Sequence, residues 1–126
     1  MKRLGILILI FGVFILIGCT NKYAAYAGTY TLYDANGYYT KADFKSYTIK
    51  LSAQGRAEID AVTSYKENGE YVGTKDIYEY RIENRKIILW NKTTPEFEHR
   101  YEDGQIIVEN FSYEHGTTTF WFRRES

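Results

Sequence analysis

Ser46-Tyr-Thr-Ile-Lys-Leu-Ser-Ala-Gln-Gly-Arg-Ala-Glu-Ile-Asp-Ala-Val62 alternates apolar and polar side chains on both sides of a glycine turn. Tyr47, Ile49 and Leu51 share one face, with Ser46, Thr48 and Lys50 opposite. After Ala53-Gln54-Gly55 the alternation resumes: Ala57, Ile59 and Ala61 face inward, Arg56, Glu58 and Asp60 outward. Successive strand residues point to opposite faces, so a period of two marks a half-buried strand. Two such runs joined by a tight turn read as a hairpin.

The same rhythm extends in both directions. Upstream, Gly28-Thr-Tyr-Thr-Leu-Tyr33 sets Tyr30 and Leu32 against Thr29 and Thr31, and Asn36-Gly37 supplies a turn. Tyr38 to Lys45 reads as a loop or one short helical turn. Downstream, Asn68-Gly69 suits a type I′ turn, whose two central residues both need positive φ. It leads to a fourth strand over Asp76-Ile-Tyr-Glu-Tyr-Arg-Ile82. Lys86 to Asn91, Phe97 to Tyr101, Gln105 to Phe111 and Thr117 to Arg123 follow as strands. Turns at 83–85, Asp103-Gly104 and His115-Gly116 separate them, with a loop at Pro95, the sole proline. The reading is an all-β antiparallel up-and-down meander of about eight strands. Closure into a small barrel is expected, because it removes the edges that an open sheet would expose.

Gly28-Thr-Tyr-Thr-Leu32, Tyr47-Thr-Ile-Lys-Leu51 with its turn at Gly55, and the closing Phe120-Trp-Phe-Arg123 resemble the small bacterial lipocalin-like (calycin-type) lipoproteins. The resemblance implies a lipocalin-like barrel. Tyr30 stands where the Trp of the lipocalin Gly-X-Trp is expected, and the chain has no room for a long lid loop or C-terminal helix.

The N-terminus carries an address. Lys2 and Arg3 precede a run from Leu4 to Ile17 in which every residue is apolar or glycine. Signal-peptide apolar regions span about 7–15 residues, whereas a membrane-spanning helix needs roughly 18 or more. The following Leu16-Ile17-Gly18-Cys19 resembles the lipobox of bacterial lipoproteins. That resemblance implies diacylglyceryl transfer to the Cys19 thiol, cleavage after Gly18, and anchoring to the outer face of the cell membrane. The expected organisation is a signal peptide over 1–18, a lipidated tether over 19–27 and one domain over 28–126.

Loss of Lys2 and Arg3 from 16 basic residues leaves 14 against 16 acidic ones, a formal charge of −2. No basic block remains to bind nucleic acid. Cys19 is the only cysteine, so acylation leaves no thiol for a disulfide, a metal or catalysis. His99 and His115 are too few for a zinc site and read as solvent-facing. No nucleophile elbow or phosphate loop appears, and Glu58, Asp60, Glu96 and Glu98 read as solvated outer faces. No cofactor, metal or catalytic residue is therefore expected.

All 13 tyrosines lie beyond the signal segment. Aromatic residues suit pleated strands and fill small barrels, yet they also make stacking surfaces for ligands. The expected activity is binding of a small apolar or aromatic ligand inside the barrel, lined by Tyr30, Leu32, Tyr47, Ile49, Tyr78, Tyr80 and Trp121. The alternative is a filled scaffold that binds an envelope protein through the loops at Tyr38-Tyr39 and Tyr65 to Tyr71, since Tyr is enriched at interfaces.

Overall fold

The computed structural model describes residues 22–113 and 116–125. Cys19, the signal segment and His115 lie outside them. The strands are β1 (Gly28–Gly37), β2 (Phe44–Leu51), β3 (Arg56–Glu67), β4 (Glu70–Glu83), β5 (Lys86–Trp90), β6 (Phe97–Glu102), β7 (Gln105–Tyr113) and β8 (Gly116–Arg124). Each pairs antiparallel with its neighbour in sequence, and β1 pairs with β8, so the meander closes into a barrel. The segment after β1 is a single 3-10 turn, Lys41–Asp43.

Asn36-Gly37, expected as a turn, instead ends β1, with Asn36 paired to Thr119 and Gly37 to Thr118, because closure with β8 extends the strand. Other tight turns hold the register where the sequence placed them. Asn68 and Gly69 both have positive φ (51° and 83°), as do Asp103 and Gly104 (51° and 73°). That geometry matches the right-handed twist of the flanking strands. Asn84 and Arg85 adopt it without a glycine, at φ 51° and 60°.

The inner face is a continuous apolar cluster. Tyr30, Leu32, Ile49, Leu51, Ala57, Tyr80, Ile87, Leu89, Ile106, Val108, Phe120 and Phe122 are buried. The acidic outer-face residues meet cations across strands: Glu58 with Lys75 at 3.0 Å, Glu96 with Arg81 at 2.6 Å and Glu98 with Lys86 at 3.1 Å.

Three further expectations need correction. β4 starts at Glu70 rather than Asp76, because the β3–β4 hairpin stays paired right up to Asn68-Gly69. Trp121 lies on the outer face, opposite buried Phe120 and Phe122. A run of three aromatics has no polar residue to reveal its phase, and packing selects the outer two for the core. His99 shares the inner face of β6 with Phe97 and Tyr101, and its ring meets Phe97 at 5.4 Å, so it is half-buried rather than solvent-facing.

Barrel closure imposes one tight approach. Gly37 sits at φ 140°, and a Cβ there would fall 2.2 Å from the Thr117 carbonyl oxygen and 2.7 Å from Thr118 Cα. Gly104 also has positive φ, but its Cβ would meet nothing within 4 Å. Gly37→Ala should therefore cost about 2–4 kcal/mol in urea unfolding, since both strain and overlap apply. Gly104→Ala should cost only about 1 kcal/mol. Equal losses would show that the β1–β8 approach is not a steric limit.

Candidate functional site

The two ends of the barrel differ in kind. At one end, the short turns after β2, β4 and β6 gather around the start of β1 and the end of β8. Residues 22–27, within the segment expected as a lipidated tether, fold into a turn beneath this end. Its backbone closes through bonds from the Tyr26 and Ala27 amides to the Tyr23 carbonyl, each 3.0 Å. Tyr23 packs edge-on against Tyr80 at 5.2 Å and covers Gly55, whose missing side chain leaves it room. Tyr26 packs edge-on against Tyr101 at 5.3 Å.

Arg124, on the inner face of β8, ties this plug together. Its guanidinium donates to the hydroxyls of Tyr30 (2.8 Å) and Tyr101 (3.0 Å) and to the Ala25 carbonyl (2.9 Å). Tyr30 donates its one proton to the Tyr26 carbonyl at 2.7 Å. Tyr101 must therefore be the donor in the 2.9 Å contact between the two hydroxyls. Tyr80 donates to the Ser52 carbonyl at 2.7 Å. The phenols of Tyr30, Tyr80 and Tyr101 thus each have a partner, as burial of polar groups requires.

The other end is open. A cavity of about 480 Å³ lies there, walled by the rings of Tyr39, Phe44, Tyr47, Phe111 and Phe120. Ala61, Val72 and Gly73 complete the apolar side, with Tyr65 at the lip. Asp43, Thr63, Ser64 and Thr74 supply the polar groups. Phe120 is the hub, with ring centroids of Tyr47 at 5.4 Å, Phe44 at 5.7 Å and Phe111 at 6.0 Å. The 3-10 turn positions Asp43: the Thr40 amide donates to its carboxylate at 2.7 Å, forming a capping box.

The seven residues expected to line a ligand site separate into five places. Tyr47 lines the cup. Leu32 and Ile49 are buried in the apolar cluster, and Tyr30 and Tyr80 belong to the plugged end. Tyr78 is half-buried against Phe97 at 5.2 Å, and Trp121 is on the outer face. Sequence reasoning missed Phe44, Phe111 and Phe120 as cup residues. Only the position of each residue along its strand separates floor from mouth, and the apolar alternation is identical at both. Among the described residues, no three His, Cys, Asp or Glu side chains gather to hold a metal ion.

Burial shifts several protons. It raises the Tyr47 phenol to about 12, with the nearby Asp76 charge and Tyr78 adding to the rise. Burial raises Tyr80 to about 12 as well, reinforced by Tyr23. Tyr30 is raised further, by burial and then Tyr101, against the opposing pull of Arg124. His99 is shifted the other way, since burial disfavours its cationic form.

No family model, curated protein or solved structure matches the chain. The site's own geometry therefore carries the functional reading.

The phenols give a pH signature. Each stays protonated in the folded barrel but ionises near 10 once unfolded. Their contribution to stability is complete below pH 10 and is lost as the pH rises towards 12. Urea midpoints followed by circular dichroism should hold steady from pH 8 to 9.5 and then fall. Tyr47→Phe should flatten part of that fall. A midpoint unchanged between pH 10 and 12 would contradict the assignment.

Proposed function

We propose that this chain is a lipid-anchored binding protein of the bacterial cell envelope, a lipocalin-like barrel that takes a small apolar or aromatic ligand. The observation that carries the reading is the aromatic cup at the open mouth, opposite an end plugged by the chain itself. Ligand pockets are typically concave, mostly apolar and supplied with a few placed polar groups. The cup has that composition.

The anchor rests on Lys2, Arg3, the apolar run and Leu16-Ile17-Gly18-Cys19. Two acyl chains on one cysteine give stable membrane attachment, where one gives only marginal binding. The folded turn over 22–27 supports an orientation. Three steps of chain separate Cys19 from Lys22, each spanning at most about 3.5 Å. An acylated Cys19 would hold the plugged end against the headgroups and turn the cup away from them. The ligand would then arrive from the aqueous side of the envelope.

A second reading has an observation of its own. Tyr38, Tyr65, Tyr71 and Phe111 are all exposed around the mouth, at 52%, 61%, 42% and 43%. Such an aromatic rim also suits contact with an envelope protein, as tyrosine contributes large area at low entropic cost. In this reading the rim is the working surface and the cup is incidental.

The anchor and the cup are tested separately. Wild-type protein should sediment with membranes and yield an N-terminal peptide carrying diacylglyceryl on Cys19, whereas Cys19→Ser should do neither. The mature chain with Cys19→Ser should enhance the fluorescence of an apolar naphthalene dye with saturable, roughly micromolar affinity. Phe120→Ala and Phe44→Ala should weaken it about tenfold. Absence of saturable dye binding would favour the rim reading over the cup.

A further inference from the structure

Three of the polar groups of the cup, Asp43, Thr63 and Ser64, present acceptors only, which specifies more than an apolar ligand. Resting on the reading of the cup as the ligand site, we infer that its ligand is a cationic amphiphile: a protonated amine carried on an apolar or aromatic body.

Charge gives the first argument. Of the residues that line the cup, Asp43 is the one acid, and no Lys or Arg lines it. Asp43 is held in place by the Thr40 amide at 2.7 Å and the Thr40 hydroxyl at 3.3 Å, both donating to the same carboxylate oxygen. Asp76 shares a face of β4 with Thr74 and Tyr78, opposite inward-facing Ile59. Its field also reaches the Tyr47 hydroxyl in the cup wall. The neighbouring lysines do not neutralise this end from within. Lys45 and Lys66 both lie over the ring of Tyr71, at 3.9 Å and 4.9 Å, and neither lines the cup.

Hydrogen-bond direction gives the second. Thr63 donates its hydroxyl proton to the Val72 carbonyl at 2.9 Å. Ser64 donates its own to the Ala42 carbonyl at 2.7 Å. A hydroxyl has one proton and two lone pairs, so these two offer the ligand acceptors alone. A carboxylate likewise only accepts. An ammonium group has three donors and no acceptor, which complements this set. An anionic ligand would meet the Asp43 charge and lone pairs, with lost hydration left uncompensated.

The walls give the third. Aromatic faces carry negative partial charge and attract cations, the more so when water is excluded. Tyr39 and Phe120 lie nearly parallel, 27° apart with centroids at 6.5 Å, and Phe44 and Tyr47 meet at 5.0 Å. Ring faces and carboxylate together form the pairing that recognises ammonium groups on apolar bodies.

A matched series tests this on the mature chain with Cys19→Ser: 1-naphthylmethylamine, 1-naphthylmethanol and 1-naphthoate, titrated calorimetrically at pH 7. The amine should bind at least about tenfold more tightly than the alcohol, and the carboxylate weakest. Asp43→Asn with Asp76→Asn should bring the ratio of amine to alcohol affinity down to about one. Equal binding of amine and alcohol, or preference for the carboxylate, would overturn the cationic assignment while leaving an apolar cup intact. Failure of all three to bind, with the fold verified by circular dichroism, would remove the cup reading and this inference together. If the double variant does not fold, the ranking of the three probes on the parent chain still decides.

Discussion

Pairing of β1 with β8 is the constraint on which the molecule depends. A meander of eight strands has two edges, and each exposes a row of unpaired backbone groups. Joining Tyr30 through Gly37 to Arg124 through Thr118 removes both. It also brings the two ends of the domain together, so that Tyr30 near the start and Arg124 near the finish meet at 2.8 Å. The approach is close enough that Gly37 has no space for a side chain beside Thr117. One pairing thus closes the wall, fixes the core and assembles the plug.

Closure also makes the ends unequal. Three short turns and the 22–27 segment crowd one rim, and the phenols of Tyr30, Tyr80 and Tyr101 there find partners in one another, Arg124 and backbone carbonyls. At the opposite rim the connection from β1 to β2 runs through a 3-10 turn, and the β3–β4 hairpin is the longest pair in the barrel. The interior is filled below and open above. Filled core and open cavity, which read as alternatives from the sequence, occur in one barrel at different heights. Phe120 is where they meet: it is buried, yet one part of its ring forms the cup floor.

How much of this was legible depended on the kind of signal. Tyr47, Ile49 and Leu51 alternate with Ser46, Thr48 and Lys50, and they face inward as that period demands. Asn68-Gly69 and Asp103-Gly104 are turns because few other pairs accept positive φ twice. Where the local signal is symmetric, it fails. Phe120-Trp-Phe122 is apolar in either phase, so the outward position of Trp121 could not be read. His99 is polar by type, but its neighbours two residues away, Phe97 and Tyr101, carry the face it belongs to. Residues 22–27 lack a strand period and read as a tether, although Tyr23 and Tyr26 are the side chains that plug the barrel.

The sequence by itself determined the strand count, the hairpin turns at Asn68-Gly69 and Asp103-Gly104 and the all-β class, because period-two alternation and positive-φ residues act within a few positions of each other. The lipidation proposed at Cys19 likewise rests on a linear stretch, Leu16-Ile17-Gly18-Cys19. Which residues form the cup was decided by tertiary structure alone. Tyr39, Phe44, Tyr47, Phe111 and Phe120 come from four separate parts of the chain, and only closure brings their rings to one mouth. The direction of the hydrogen bonds there has the same origin. Thr63 and Ser64 become acceptors toward the cup because the folded backbone presents the Val72 and Ala42 carbonyls to their protons.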